Sequence, residues 1–289
     1  MEKIETFSED WLLMEEKKLL AFMRDKFTKE NNIQKENDLL DISRAFWMAT
    51  ECHEWEMRDN KKDPYITHCI AVANILWEEF DHTHITARHI IWALLHDTVE
   101  TDIKNYEKIK QEFDSGIAKN NRALTKKSKE EFLAPHELAS YYTFIHQGKH
   151  PLMNAQEMFV SFFWSIVPGQ EILFQNILKK YFEKYFSWEL KRRRNQDTFW
   201  NLDTLDEYEL AIKLADRIHS LRTLENCTPE KQERIISETE KYFLHVAQKR
   251  FPNDGYILLT REIQKLKKEQ KPKENNTSLK ITEVLRYLQ

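Results

Sequence analysis

Apolar positions recur along most of this chain at helical spacing. In residues 9–30 they fall at Trp11, Leu12, Leu19, Leu20, Met23 and Phe27, one side of an amphipathic helix. The polar run KENNIQKEND reads as a loop, and residues 40–57 as a second helix. RDNKKDP, residues 58–64, is a turn, because Asp-Pro and the charge cluster break the pattern. Pro64 suits the first position of the next helix, expected over 65–80. Thr86 can start the helix holding HIIWALLHDTVETD, and another follows from about Lys104 to Arg122. From 125 to about 204 the pattern is less regular, with helical pieces expected at 135–147, 154–166 and 170–195. A strong helix is expected at 205–225. Thr228 and Pro229 then open one over 229–250, and a further helix covers 256–270. The polar stretch 267–278 reads as a linker before a short last helix at 279–288.

Composition turns this pattern into a fold class. Among 289 residues there are 4 Gly and 7 Pro, and 32% are charged. So few breakers beside so many helix-compatible charges imply an all-α protein. The formal net charge of −4 does not ask for nucleic acid, and the run Lys191-Arg192-Arg193-Arg194 reads as a solvated helix face. Cys52, Cys69 and Cys227 form no C-x-x-C pair and read as free thiols of a reducing compartment. The N-terminus lacks the basic start and apolar stretch of a signal peptide. The most apolar stretch, 158–174, is interrupted by Pro168-Gly169 and is too short to span a bilayer. The expectation is a soluble cytoplasmic protein with no membrane or nucleic-acid partner.

The chemistry starts at HIIWALLHDTVETD, residues 89–102. An apolar run there ends in His96, Asp97, Glu100 and Asp102. That end is either solvated or holds a metal ion. Two other places set a donor among apolar neighbours: His68 in PYITH and Asp216 in IKLADRIHS. An aspartate buried without a partner is costly. Asp216 has a plain alternative in an ion pair with Arg217 or Arg222. Considered with His68 and the His96-Asp97 pair, a metal is preferred, and imidazole with carboxylate suits Mn²⁺, Fe²⁺ or Zn²⁺ better than Ca²⁺.

The order HEWEMR, DPYITH, ALLHDTVE, KLADRIHSLRTL resembles the hydrolase domain of the RelA/SpoT homologues, over about residues 44–102 and 205–250. The resemblance implies an HD-domain helical bundle that depends on Mn²⁺ and removes the 3′-pyrophosphate of ppGpp and pppGpp, giving GDP or GTP. It implies His68, His96, Asp97 and Asp216 as metal ligands and Glu100 as the catalytic glutamate of the family's HDxxED motif. Arg58 matches the arginine over the base, and Thr223 a threonine of the base pocket. Lys61 and Lys62, in the same loop as Arg58, are candidates for the substrate's phosphates. Glu100 is three residues from Asp97 and four from His96, which on one helix gives a common face.

Several positions depart from the family. Thr101 stands where HDxxED has its Asp, and Asp102 comes one residue later, a rotation of about 100° on a helix. Asp102 is the candidate to supply that carboxylate. Ser220 replaces the Asn of LADRLHN as a substrate contact, Asp59 follows Arg58, and the loop before PYITH is one residue longer. The expected organisation is one HD-type domain over 1–270, with its core at about 38–125 and 205–250. A helical insertion at about 126–204 extends the core or offers a surface for a homo-oligomer, and 271–289 form the linker and short helix. With no room for a synthetase, a stand-alone small alarmone hydrolase is expected. The alternatives are an HD phosphohydrolase of another nucleotide, such as an adenosine alarmone, and a catalytically weakened nucleotide-sensing or antitoxin-like regulator.

Overall fold

The computed structural model describes residues 8–26, 33–80, 85–126, 191–193, 195, 197, 199 and 201–270. Most of the 126–204 insertion, the linker after 270 and the helix expected at 279–288 lie outside the described residues. The described residues are helical and contain no strand, beyond one isolated bridge between Met57 and Pro64. The helices are α1 (Glu9–Lys26), α2 (Ile33–Cys52), α3 (Ile66–Glu79), α4 (Ala87–Leu95), α5 (Thr98–Thr101), α6 (Asn105–Glu112) and α7 (Ser115–Leu124). After the insertion come α8 (Glu207–Arg222), α9 (Pro229–Glu238), α10 (Leu244–Arg250) and α11 (Gly255–Gln270).

α4 lies at the centre, with α2 and α3 packed on it, and α3 in turn packs on α8. Val72, Ala73 and Leu76 from α3, Ile90, Leu94 and Leu95 from α4, and Leu210, Ile212 and Leu214 from α8 are all fully buried there. α11 closes over α8 at Gly255, where a Cβ would stand 2.9 Å from Leu214 Cδ1, closer than side chains approach. Among the described residues, no helix is long and apolar enough to cross a membrane.

Local chemistry sets the ends. Asp206 caps α8 in a reciprocal box with Glu209, and Thr228 caps α9 with Pro229 in its first turn. Three expected boundaries are corrected. α2 begins at Ile33 within the run expected to be a loop, because Gln34, Lys35 and Glu36 are good helix formers that need no apolar face. The helix expected from Lys104 to Arg122 is two, since the Asp114 side chain accepts from Gly116 N (2.6 Å) and Ile117 N (2.9 Å) and starts α7 afresh. The helix expected over 229–250 contains a π turn, Thr239–Phe243, between α9 and α10.

The corner after α4 matters most for function. α4 ends at Leu95, and Asp97 occupies the cap position of α5. Side chains take the carbonyls that a continuing helix would use: His96 Nδ1 lies 2.7 Å from Ala93 O, and Thr98 Oγ1 donates to Leu95 O at 2.7 Å. His96, Asp97 and Glu100 are therefore presented from a bend rather than from one continuous helical face.

Candidate metal centre and its cleft

His68 comes from the first turn of α3, His96 and Asp97 from the α4–α5 corner, and Asp216 from the middle of α8. The packing of α3 on α4 and α8 brings these residues together. His68, His96 and Asp216 offer ligating atoms within 4.8 Å of one another. His68 Nε2 stands 3.3 Å from His96 Nε2 and 3.3 Å from Asp216 Oδ1. Asp97 Oδ2 is 3.1 Å from His96 Nε2 and 3.7 Å from His68 Nε2. The two imidazoles are buried, while both carboxylates keep one edge toward a cleft. Asp216 does not pair with its neighbouring arginines: Arg217 faces Glu238, and Arg222 binds Glu79 and Glu262.

The rings are aimed from behind. His96 turns Nδ1 to the Ala93 carbonyl, and His68 Nδ1 lies 2.7 Å from Nδ1 of His219. Burial and the neighbouring His68 hold His219 down to about 3, so its ring is neutral. With His68 Nδ1–H donating to His219, the lone pair of His68 Nε2 faces the carboxylates. The Tyr65 hydroxyl donates to Asp97 Oδ2 at 2.5 Å, and burial together with that carboxylate raises its pKa, keeping it a donor. Tyr65 in turn stacks on His53, with centroids 4.5 Å apart.

The charges in the cluster stabilise one another. Burial pushes the Asp97 carboxyl up, but His96 and His68 outweigh it and hold it well below the usual carboxylate range. Burial likewise disfavours the charged form of His96, and Asp97 and Asp216 reverse this and raise its pKa. Two imidazoles whose Nε2 atoms converge with two ionised carboxylates are the donor set of a divalent transition metal, so the described residues fit such a cation.

The centre opens on a cleft of about 530 Å³. Asp97 and Asp216 line it with Glu100, Thr101, Arg58, Ser220 and Thr223. Arg58 donates to Thr223 Oγ1 at 3.3 Å and lies over the Tyr65 ring, while Ser220 Oγ is 3.5 Å from Asp216 Oδ1. Glu100 is at the rim, 3.6 Å from Lys126.

Three expected residues are not brought to this cleft. Asp102 is exposed and accepts from Lys104 N at 2.9 Å, whereas Thr101 lines the cleft. Lys61 sits at the turn with φ 55°, and Lys62 borders a neighbouring hollow with Asn60 and Asp63. Four residues of the cleft and its backing went unnoticed in the sequence: His53, Tyr65, Lys213 and His219. All lie inside or beside the motifs already singled out, but nothing in their spacing separates them from ordinary core residues.

The comparisons with known proteins agree with this geometry. The family model for the HD domain matches residues 45–133. The bifunctional (p)ppGpp synthase/hydrolase SpoT of Escherichia coli is 25% identical over 213 residues, covering 73% of this chain and 22% of that protein. A probable guanosine-3′,5′-bis(diphosphate) 3′-pyrophosphohydrolase of Synechocystis is 27% identical over 207 residues, 71% of this chain and 20% of that protein. A probable chloroplastic GTP diphosphokinase, RSH2 of Arabidopsis thaliana, is 24% identical over 71% of this chain and 22% of its own length. The chain thus spans about a fifth of the length of these relatives. A solved structure described as a metazoan ortholog of SpoT that hydrolyzes ppGpp has the same fold, with a TM-score of 0.51 at 16% identity over 78% of this chain and 94% of that one. The helical core and the His/Asp set lie together with these likenesses. Residues 45–133 match the HD domain, and the chain is similar to the RelA/SpoT homologues over about seven-tenths of its length.

Proposed function

We propose that this chain is a divalent-metal-dependent hydrolase that removes the 3′-pyrophosphate of ppGpp and pppGpp, releasing GDP or GTP. One observation carries the reading. The His68, His96, Asp97 and Asp216 cluster opens on the same cleft as Glu100 and the Arg58–Thr223 pair. The relatives of Synechocystis and Escherichia coli are named for the same chemistry.

In this reading the four residues hold the metal, with Mn²⁺ the expected ion. A bound ion would supply Lewis acidity that activates water and offsets phosphate charge. Glu100 would orient the attacking water or take its proton as it adds to the 3′-linked phosphorus. The bond from phosphorus to the ribose 3′ oxygen breaks, and that oxygen takes a proton. Arg58 stacks on the purine, with Thr223 and Ser220 beside it. The 1–270 region acts as one hydrolase domain, with 126–204 as an insertion that serves the core or a homo-oligomeric contact.

The test is pyrophosphate release from ppGpp by the purified protein with Mn²⁺, against an EDTA control. Metal-dependent release supports the reading, and its absence from protein shown to hold metal refutes it. A second reading has its own observation. Thr101, not a carboxylate, occupies the cleft wall beside Glu100, and Asp102 is turned to Lys104. This favours an adenosine alarmone as substrate or a slow, nucleotide-sensing protein. Running an adenosine analogue beside ppGpp separates the first of these. A rise in ppGpp turnover on Thr101→Asp would mark the second.

A further inference from the structure

Lys213 lies on α8 three residues before Asp216, so both side chains leave the helix on one face. It is only 8% exposed, yet it lines the cleft. The other cations described along that wall are engaged or in water. Arg58 binds Thr223, Lys126 faces Glu100, Arg217 and Arg234 share Glu238, Lys231 binds Asp59, and Lys191 is exposed. Lys213 has no hydrogen bond or ion pair among the described residues. Its charge is nevertheless felt at His96 and Asp97.

A lysine held mostly out of water with no partner among the described residues is costly, and such groups concentrate at functional sites. Asp97 and Asp216 compensate it at a distance, but a divalent cation between them takes up that negative charge. Among the described residues no other carboxylate pairs with it, so an anion entering the cleft is the partner that fits.

We propose that Lys213 is an anion-binding residue on the floor of the cleft, and that its ligand is a phosphate or pyrophosphate group lying beside the metal centre. That this group belongs to a nucleotide rests on the function proposed above. The ammonium donates hydrogen bonds to non-bridging oxygens, which are strong when both partners are charged. It also offsets the charge that develops as the phosphorus–oxygen bond breaks.

The experiment does not need turnover. Protein loaded with Mn²⁺ and freed of excess metal is titrated calorimetrically with inorganic pyrophosphate, and its manganese content is measured afterwards. Lys213→Met and Lys213→Gln are each compared with the wild type, so that one variant serves if the other does not fold. The expected result is pyrophosphate affinity lower by about 10- to 100-fold with manganese retained. Lys213→Met should at the same time melt no lower, because it removes a largely buried lysine that has no partner among the described residues, whereas loss of a purely structural lysine would lower it. Unchanged affinity overturns the proposal, and so does loss of manganese in the variants, which would make Lys213 a support of the metal site instead. Lys213-dependent pyrophosphate binding without any cleavage of ppGpp would leave the anion site standing and remove only the proposed substrate. Cleavage of ppGpp with unchanged pyrophosphate binding in the variants would do the reverse.

Discussion

On the floor of the cleft, His68 and His96 are 1% and 0% exposed, whereas at the rim the Glu100 and Asp59 side chains keep 37% and 44% in water. Each floor ring is fixed twice, by the packing of its helix and by a partner on its far nitrogen. Each rim carboxylate is fixed by one exposed lysine, Lys126 or Lys231. Exposed ion pairs of this kind contribute about 0.2–1 kcal/mol and weaken with salt. The contrast separates two tasks. In the function proposed above, the floor sets where a cation and the reacting phosphorus lie. In the same reading the rim holds Glu100 beside the attacking water and meets the rest of the substrate, and its exposed ion pairs can change without disturbing the fold.

The sharpest ways to break the contrast are at Asp97 on the floor and at Glu100 on the rim. Asp97→Ala should reduce metal content, read by elemental analysis, to background and abolish turnover with it. Metal and activity both retained would remove Asp97 from the ligand set. Glu100→Gln should keep the metal but slow pyrophosphate release about 10²- to 10⁴-fold, the usual reach of a positioned general base. A variant as fast as wild type would exclude Glu100 from the proton transfer.

Smaller effects are expected behind and around the site. His219→Ala takes away the partner of His68 Nδ1 and should weaken metal binding about 10- to 100-fold, measured by competition with a chelator, with the helical circular dichroism unchanged. Equal affinity would mean that packing alone orients His68. At the rim, Lys231→Ala frees Asp59 and should alter the substrate KM by no more than about fivefold, with metal affinity untouched, since an exposed pair of at most about 1 kcal/mol is lost. A larger change would show that the 58–63 turn is held by that pair and that rim and floor are coupled.

Much of the helical frame was legible because its signals are local. Periodic apolar positions located α1, α3, α4, α8 and α11, and Thr86, Thr228 and Pro229 marked starts that the structure uses. The misses are local competitions that pattern alone does not resolve. Asp114 recapturing two backbone N–H groups split one expected helix. His96 and Thr98 taking carbonyls at the end of α4 turned an expected straight helix into a corner.

The sequence by itself determined which residue types stand where along the chain: histidines and aspartates embedded in apolar helices, with too few glycines and prolines for any other class of fold. Only the tertiary structure decided which of them meet. His68 and His219 are 151 positions apart and His68 and His96 are 28, and only the packing of α3 on α4 and α8 closes those distances. The same packing left Thr101 on the cleft and Asp102 outside it, and enclosed Lys213 with no partner among the described residues. Helical periodicity is written in neighbours three and four residues apart, whereas a site is made by contacts that no local spacing records.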